Sequence, residues 1–135
     1  MKGKAPKTEA RRRGDLGEAA AVRYLRRRLY RVLDRNWFFY HKEIDVVARR
    51  GRTLVICEVK TRTSYAPSPL SYGTPSSAVD AKKRQNLLTA AGAYVRRIGW
   101  QGDVRFDVIE VYLKGRGHRR PRIERIEHIQ NAFTA

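Results

Sequence analysis

Two short segments of the chain carry most of the side chains that could do chemistry. Residues 43–45 read Glu-Ile-Asp and residues 58–60 read Glu-Val-Lys, so three carboxyl groups and one amine lie within 18 residues of each other. Carboxylate oxygens bind hard divalent cations such as Mg²⁺. A metal ion beside an ammonium group supplies the charge needed to hydrolyse a phosphodiester bond. These residues predict a hydrolytic site in which Asp45 and Glu58 hold the metal and Lys60 serves the attacking water.

A hairpin would bring the two segments together. If Gly51 and the next residue form a two-residue turn, Asp45 lies opposite Glu58 and Glu43 lies opposite Lys60. The two-residue period of a strand then places these four side chains on one face. The opposite face carries an apolar layer made of Ile44, Val46, Ala48, Val55, Cys57 and Val59.

Like charges directly opposite each other destabilise a sheet, so Asp45 and Glu58 need a positive counterpart, and a divalent cation would serve. The alternative is that Glu43 and Lys60 form an ordinary ion pair. In that case Asp45 and Glu58 are solvated at the strand ends, and the ion pair contributes little to stability.

The rest of the chain must position this hairpin. Helical spacing and caps predict one helix from a Thr8 cap to about Leu29 and a second from a capping box at Ser77 and Asp80 to Gly99. Alternating or apolar runs predict strands within 30–40, 43–49, 53–62, 104–113 and 122–129. The order α-β-β-β-α-β with a further terminal strand predicts an α/β domain. We expect a mixed sheet flanked by helices, in which the crossover helix makes the third and fourth strands parallel.

The domain organisation follows from length and composition. A chain of 135 residues fits one domain, which we place at 8–135, after a basic disordered arm at 1–7. Residues 63–75 are rich in Ser, Pro, Tyr and Gly and predict a long mobile loop. Cys57 is the only cysteine, which excludes an intrachain disulfide, and its apolar neighbours predict a buried side chain.

Charge narrows the class of partner. The chain has 30 Lys and Arg against 13 Asp and Glu, a formal charge of +17. Such an excess favours a polyanionic partner, either nucleic acid or an anionic membrane. We favour nucleic acid, because the sequence holds no apolar run of membrane-span length and no basic helix with a large lipid-facing surface. With no secretion signal at the N-terminus, we expect a cytoplasmic protein.

Basic residues begin the second predicted helix. Lys82, Lys83 and Arg84 lie in its first turns, where the helix dipole disfavours cations, and a phosphate would reverse that cost. With Gln85 as a further polar contact, this helix start predicts a site for a nucleic-acid backbone. A plain solvated basic surface is the alternative. Further basic clusters lie at 26–28 and 116–122.

The aromatic residues allow two interpretations, and the histidines indicate no site. The aromatic run at 37–40 either faces inward from a strand or stacks on bases. Tyr65 and Tyr72, in the predicted loop, are better candidates for stacking. His41, His118 and His128 show no arrangement typical of a metal site or a catalytic base, so we expect them on the surface or in loops.

The helix before the hairpin carries one acidic residue on its apolar stripe. Glu18 shares this stripe with Val22, Leu25 and Leu29, so its carboxylate could reach the predicted metal site from the first helix. Alternatively Glu18 lies at the edge of the stripe and is solvated.

Together these residues resemble a known group of enzymes. Asp45 matches the first acid and residues 58–60 match the (D/E)-x-K element of the PD-(D/E)XK nuclease superfamily, although Ile44 stands where the superfamily name has Pro. The pattern resembles more narrowly the YraN-like family of predicted endonucleases over about residues 14–112. That resemblance rests on Gly14, Gly17, Glu18, Asn36, residues 43–45 and 58–60, Lys82 or Lys83, and residues 105–107.

The resemblance implies a restriction-endonuclease-like core, with Glu18 beside the metal as in related Holliday-junction resolvases. We therefore expect a Mg²⁺- or Mn²⁺-dependent endonuclease whose metal ligands are Asp45, Glu58 and Glu18. Its expected substrate is DNA recognised by structure or backbone: junction, branched or single-stranded. Whether it acts as a homodimer is left open. The alternative function is a non-catalytic nucleic-acid-binding module on a nuclease-like fold.

Overall fold

The computed structural model describes residues 8–63, 80–115 and 120–134. Its elements are α1 (Glu9–Arg27), β1 (Arg31–Phe39), β2 (Lys42–Arg50), β3 (Thr53–Thr63), α2 (Ala81–Ile98), β4 (Asp103–Lys114) and β5 (Arg122–Phe133). The predicted order of elements is confirmed, and β5 is longer than predicted. The predicted arm at 1–7 and, beyond Thr63 at the end of β3, the rest of the predicted loop at 63–75 lie outside the described residues.

One mixed sheet holds all five strands, in the spatial order β1-β2-β3-β4-β5. β3 and β4 run parallel, and the other three neighbouring pairs are antiparallel. The parallel pair is joined through α2, as the sequence predicts for a crossover helix. This α/β arrangement confirms the predicted fold class and is consistent with a restriction-endonuclease-like core.

A helix covers each face of the sheet and encloses a separate apolar core. The core on the α1 side joins helix residues to β2, β3 and β4 through Ala21, Val22, Leu25, Val46, Val55, Cys57, Ile109 and Val111. The core on the α2 side contains Ile44, Leu54, Ile56, Leu87, Ala90, Tyr94 and Val108. Because every central strand is covered on both faces, the sheet forms a rigid platform for side chains at its strand ends.

The start and middle of α1 determine where the helix lies on the sheet. Thr8 caps the helix, since its hydroxyl oxygen accepts a hydrogen bond from the Arg11 backbone N–H at 3.1 Å. Farther along, a Cβ atom on Gly17 would come within 2.0 Å of the Thr61 hydroxyl oxygen on β3. Only glycine permits this close approach, which brings the following residue, Glu18, to the end of β3 where the site forms.

The far end of α1 differs from the prediction. The helix ends at Arg27, and Leu29 has a positive φ of 68° and is 83% exposed. Leu29 therefore does not extend the apolar stripe, because the chain turns towards β1 before it.

The second helix starts one turn later than predicted. It begins at Ala81, and the Asp80 carboxylate caps it by accepting a hydrogen bond from the Lys83 backbone N–H at 2.7 Å. The prediction that Ser77 caps this helix is therefore wrong, and Ser77 itself lies outside the described residues. Gly99 ends the helix as predicted, in the left-handed conformation that a C-cap requires. In the described parts of the chain, neither helix has the length and apolar character to cross a membrane.

Candidate active site

The β2–β3 hairpin has the predicted register up to the point where chemistry is expected. Arg50 pairs with Thr53 at the turn, and the ladder continues to Val46 opposite Cys57. Beyond that pair the two strands separate. Asp45 Oδ2 accepts a hydrogen bond from the Val59 backbone N–H at 2.8 Å. The carboxylate thus takes the place of the backbone carbonyl that would accept this bond in a regular sheet.

The neighbouring strand β1 is irregular at the same level. The pairs Arg35 with Val46 and Trp37 with Ile44 place Asn36 beside Asp45. Asn36 has a positive φ of 49°, a conformation that asparagine tolerates better than most residues. Strain of this kind within a strand is typical of functional sites.

Beside this irregularity, the regular alternation of side chains between the two faces of β2 breaks once. Ile44 belongs to the core on the α2 side, whereas Val46, two residues later, belongs to the core on the α1 side. The prediction that both belong to one apolar layer is therefore wrong, because strict alternation breaks at Asp45. The break turns the Asp45 side chain towards α1, where it lines a pocket.

The four predicted side chains consequently approach from two sides of the sheet. Glu43 and Asp45 line the pocket on the α1 side, together with Val59. Glu58 lies on the α2 side, since it pairs with Val108 of the α2-side core. The single-face prediction is wrong, and the acidic groups come together instead at the gap between β2 and β3.

The pocket on the α1 side has a volume of about 470 Å³. Its lining includes Glu18, Asn36, Phe38, Glu43, Asp45 and Val59. Glu18 is thus brought to the same pocket as Asp45, as expected from its place on α1. Its Oε1 atom accepts hydrogen bonds from Asn36 Nδ2 at 2.8 Å and from Arg35 Nε at 3.2 Å.

The electrostatics of the pair are unfavourable without a further cation. Burial, then the charge of Glu58, raise the pKa of Asp45 to about 7, although the hydrogen bond from Val59 opposes this shift. Burial also raises the pKa of Glu58, despite Lys83 and Lys60 nearby. Glu58 Oε2 is buried and has no hydrogen-bond partner. An unpartnered buried carboxylate oxygen is costly, and a divalent cation would satisfy it.

The ordinary ion-pair alternative is wrong for this site. Lys60 Nζ lies 3.6 Å from Glu58 Oε1, so Lys60 pairs along its own strand instead of across to Glu43. Glu58 is 4% exposed and is therefore not a solvated residue at a strand end. Glu58 belongs to the protein interior and Asp45 is half-buried, so their charges need compensation.

The donor set fits a metal held mainly by two carboxylates. Within residues 8–63, 80–115 and 120–134, no group of three or more His, Cys, Asp or Glu side chains is arranged to hold a metal ion. Mg²⁺ is commonly bound through one or two carboxylates, with water and substrate phosphate filling its other positions. Asp45, Glu58 and the adjoining backbone supply that kind of set.

The predicted nucleic-acid-binding residues of α2 divide into two groups. Lys82, Arg84 and Gln85 are exposed in the first turns, as a backbone-binding surface requires. Lys83 is half-buried and points towards the sheet, where its Nζ lies 3.5 Å from Glu58 Oε1. The sequence shows three adjacent basic residues without indicating which one faces the sheet, so Lys83 was missed as a residue of the acidic site.

The sequence left both alternatives open for the aromatic run at 37–40 and did not distinguish Phe38 from its neighbours. Trp37 and Phe39 pack against the core on the α2 side, which confirms an inward-facing strand for part of the aromatic run. Phe38 faces the other way, lines the pocket with Asp45 and is 56% exposed. Strand alternation is the signal that separates it from its neighbours. Tyr65 and Tyr72, the stacking candidates of the loop, lie outside the described residues.

A second buried acid, Asp107 on β4, lies in very different surroundings. Both of its oxygens accept hydrogen bonds from Arg105 at 2.9 Å, and Oδ2 lies 2.6 Å from His128 Nε2. The Asn131 backbone N–H donates a further bond at 2.9 Å. Burial opposes ionisation, but the bonds from His128, Arg105 and Asn131 outweigh it and lower the pKa of Asp107. The prediction of a surface or loop His128 is wrong, since its side chain is only 4% exposed.

The single cysteine has no part in the acidic site. Cys57 is fully buried in the core on the α1 side, as predicted. Burial raises the pKa of its thiol well above the ordinary value, which makes it unreactive.

Comparison with known proteins identifies the family. The model of the family described as "Uncharacterised protein family UPF0102" matches residues 17–111. A UPF0102 protein from Moorella thermoacetica is 41% identical over 91% of this chain and 96% of its own length. Another from Chlorobium chlorochromatii is 41% identical over 89% of each chain, and one from Geobacter sulfurreducens is 42% identical over 89% of this chain and 87% of its own. The chain therefore belongs to the UPF0102 family, the YraN family that its sequence resembles.

Proposed function

We propose that this protein is a Mg²⁺- or Mn²⁺-dependent nuclease that hydrolyses phosphodiester bonds in DNA in the cytoplasm. The observation that carries the proposal is the buried Glu58 Oε2, which has no hydrogen-bond partner. Asp45 is its acidic neighbour, and burial together with the charge of Glu58 raises the pKa of Asp45 to about 7. A purely structural ion pair would leave neither an unpartnered oxygen nor a raised pKa. A divalent cation bound at this point would remove both costs at once.

The side chains of the site take separate roles in this proposal. Asp45 and Glu58 hold the metal, which when bound polarises the scissile phosphate and favours deprotonation of the attacking water. Lys60, 3.6 Å from Glu58, orients that water and stabilises negative charge on the phosphorane. Lys83, 3.5 Å from the same oxygen, adds a second ammonium group from α2. Glu18, the third ligand that the resemblance implies, forms no three-carboxylate cluster with Asp45 and Glu58 in the described residues. We propose that it contributes from the same pocket through Oε2, since Arg35 and Asn36 occupy its Oε1.

The surface around α2 supports a DNA partner. Lys82, Arg84 and Gln85 are exposed at the start of the helix whose Lys83 reaches Glu58. A backbone held there would run close to the acidic site. Contacts of this kind bind phosphates and carry little sequence information. We therefore propose recognition by structure or backbone, with junction, branched or single-stranded DNA as substrate, by a monomer or a homodimer.

A second candidate function is a non-catalytic nucleic-acid-binding module. The observation that favours it is the lack of a three-residue metal cluster within the described part of the chain. In that case the +17 charge serves binding alone. The nuclease proposal then fails while the salt-sensitive binding of DNA remains.

The deciding experiment is a cleavage assay with an isosteric variant. Purified protein is incubated with plasmid, single-stranded and four-way-junction DNA in Mg²⁺, Mn²⁺ or EDTA. Asp45→Asn retains an oxygen that can accept the Val59 hydrogen bond and removes the charge. We expect it to lower the cleavage rate by roughly 10²-fold or more. Asp103→Asn, at an exposed position at the start of β4, is the matched control and should cleave like the wild type.

The outcome separates the two candidates. Metal-dependent cleavage that Asp45→Asn loses supports the nuclease. Binding without cleavage on every substrate, or cleavage that persists equally in EDTA or in Asp45→Asn, contradicts it.

The role of the α2 surface has its own test. The double variant Lys82→Ala/Arg84→Ala removes two phosphate contacts, so the slope of log affinity against log salt should fall by about 0.9 per contact on duplex DNA. Arg96→Ala, exposed near the other end of α2, is the matched control and should leave the slope unchanged. An unchanged slope in the double variant would assign backbone binding to another surface.

A further inference from the structure

The pocket on the α1 side, which Asp45 lines, also has an aromatic side chain that packs in neither apolar core. Phe38 lines the pocket with Asp45 and is 56% exposed. Its neighbours Trp37 and Phe39 pack against the core on the α2 side. Exposing a phenyl ring forgoes the stabilisation that burial would give, so this ring is available to a ligand instead of the core.

The position of Phe38 follows from the strand register. Phe38 pairs with Glu43 on β2, and Asn36, two residues earlier, lies beside Asp45. Two residues of strand span about 7 Å, so the ring lies a short step along β1 from the acidic groups. A ligand that contacts Asp45 through a metal therefore has Phe38 within its own length.

The opposite side of the pocket adds a positive group. Arg11, an exposed residue in the first turn of α1, belongs to the same lining as Phe38 and Asp45. The pocket of about 470 Å³ lies within the range of about 300–1,000 Å³ found for small-ligand sites. A pocket with carboxylates inside it and an aromatic ring and an arginine in its lining has the chemistry of a nucleotide site. The metal would contact a phosphate, the ring a base and the arginine a flanking phosphate.

We propose that Phe38 stacks on an unpaired base next to the scissile phosphate, so that the pocket selects nucleic acid with unstacked nucleotides. Within a duplex both faces of a base are already covered by its neighbours, which leaves no face for a protein ring. Single strands and branch points offer such a face. The inference rests on the proposed function for its ligand class and names the specificity of that same pocket.

The test measures binding without cleavage. Full-length protein in EDTA is titrated into a single-stranded oligonucleotide that contains 2-aminopurine and into a blunt duplex of the same length. Base–aromatic stacking contributes about 1–3 kcal/mol per base, so Phe38→Ala should weaken single-strand binding roughly 5- to 100-fold. Duplex affinity should change less than about twofold on the same argument. The salt slope should stay constant, because no phosphate contact is lost.

Two further variants make the result specific. Phe38→Trp keeps a stacking surface and should retain single-strand affinity and quenching of the 2-aminopurine fluorescence. Tyr40→Ala removes an aromatic ring that is 83% exposed in the turn between β1 and β2 and outside the pocket lining, and should change little.

Several results would overturn the inference. The first is that Phe38→Ala binds single strand as tightly as the wild type does, and the second is that it loses equal affinity for single strand and duplex. The third is that Tyr40→Ala loses as much single-strand affinity as Phe38→Ala. The fourth is that Phe38→Ala changes only the oligomeric state, which would make the ring a contact between copies of the chain. If the wild type fails to cleave yet Phe38→Ala loses single-strand binding, the stacking inference stands and the nuclease proposal falls. If Asp45-dependent cleavage occurs and Phe38→Ala binds single strand normally, the nuclease proposal stands and the stacking inference falls.

Discussion

Among the carboxyl groups that the sheet holds, two sets differ most clearly in how their charge is balanced. At the strand opening, Asp45 and Glu58 face each other's charge, and burial raises the pKa of both. At the centre of β4, Asp107 is fully buried, yet its hydrogen bonds lower its pKa. Arg105 and His128 satisfy Asp107 from the protein itself.

The two clusters differ in whether the protein itself supplies every partner. Asp107 receives every bond it needs from β4 and β5, so this cluster stabilises the folded state without help from outside. Glu58 keeps one buried oxygen without a partner although two lysines lie within 3.6 Å of the other. A cluster left incomplete in this way sacrifices stability, which is typical of a site that takes a ligand.

The largest expected effect separates the two clusters by stability. Asp107→Asn leaves the Arg105 guanidinium without its ionic partner, so we expect it to lower the free energy of unfolding by about 3–5 kcal/mol. Asp45→Asn relieves repulsion with Glu58 and should be neutral or stabilising by about 1 kcal/mol in EDTA. Urea denaturation of the two variants measures this contrast. Similar losses in both would mean that Asp45 is a structural residue like Asp107.

A pH effect of intermediate size should belong to the acidic site alone. Between the ordinary pKa of 3.8 and about 7, folded Asp45 holds a proton that the unfolded chain has released. Raising the pH through this window therefore favours unfolding of the metal-free protein, by an amount on the order of 1–2 kcal/mol after solvent screening. The shift at Asp107 acts below its ordinary pKa of 3.8, so it does not contribute to this window.

The measurement is denaturation in EDTA at pH 5 and pH 8. The wild type should be less stable at pH 8, and Asp45→Asn should lack most of that decrease. A wild-type protein with equal or greater stability at pH 8 would contradict the unfavourable burial of Asp45.

The smallest effect refines the other side of the comparison. The Tyr30 hydroxyl accepts a hydrogen bond from Arg105 Nη2 at 2.7 Å. Tyr30→Phe removes that single bond and should lower the free energy of unfolding by about 1 kcal/mol. Metal binding at Asp45 should not change. A thermal melt with and without Mn²⁺ tests both statements, and a lost metal response would show that the two clusters are coupled.

The sequence was sufficient for the fold and for the β2–β3 register. Gly51, with a positive φ of 60°, forms the predicted turn, and the pairing from Arg50 to Val46 follows from it. Strand alternation and a two-residue turn are local rules, so one sequence can reveal them. The same rules failed at Asp45, because alternation breaks where Asp45 lies beside Asn36 of β1, and the sequence of β2 alone does not show how the two strands meet there.

Residues that meet across long distances in sequence were also missed. His128 reaches Asp107 from 21 residues away, through a β4–β5 pairing that shifts register near that point. Lys83 faces Glu58 because of the rotation of α2 about its axis, which the run of basic residues does not reveal. Both depend on how elements pack, and packing is decided by the whole core.

A calorimetric titration of Mn²⁺ into the wild type, Asp45→Asn and Tyr30→Phe at pH 8 tests the proposed metal site most directly. We expect one Mn²⁺ bound per wild-type chain, the same binding in Tyr30→Phe and none in Asp45→Asn at the same concentrations. Absence of binding in the wild type, or equal binding in Asp45→Asn, would contradict the assignment of Asp45 and Glu58 as a metal site.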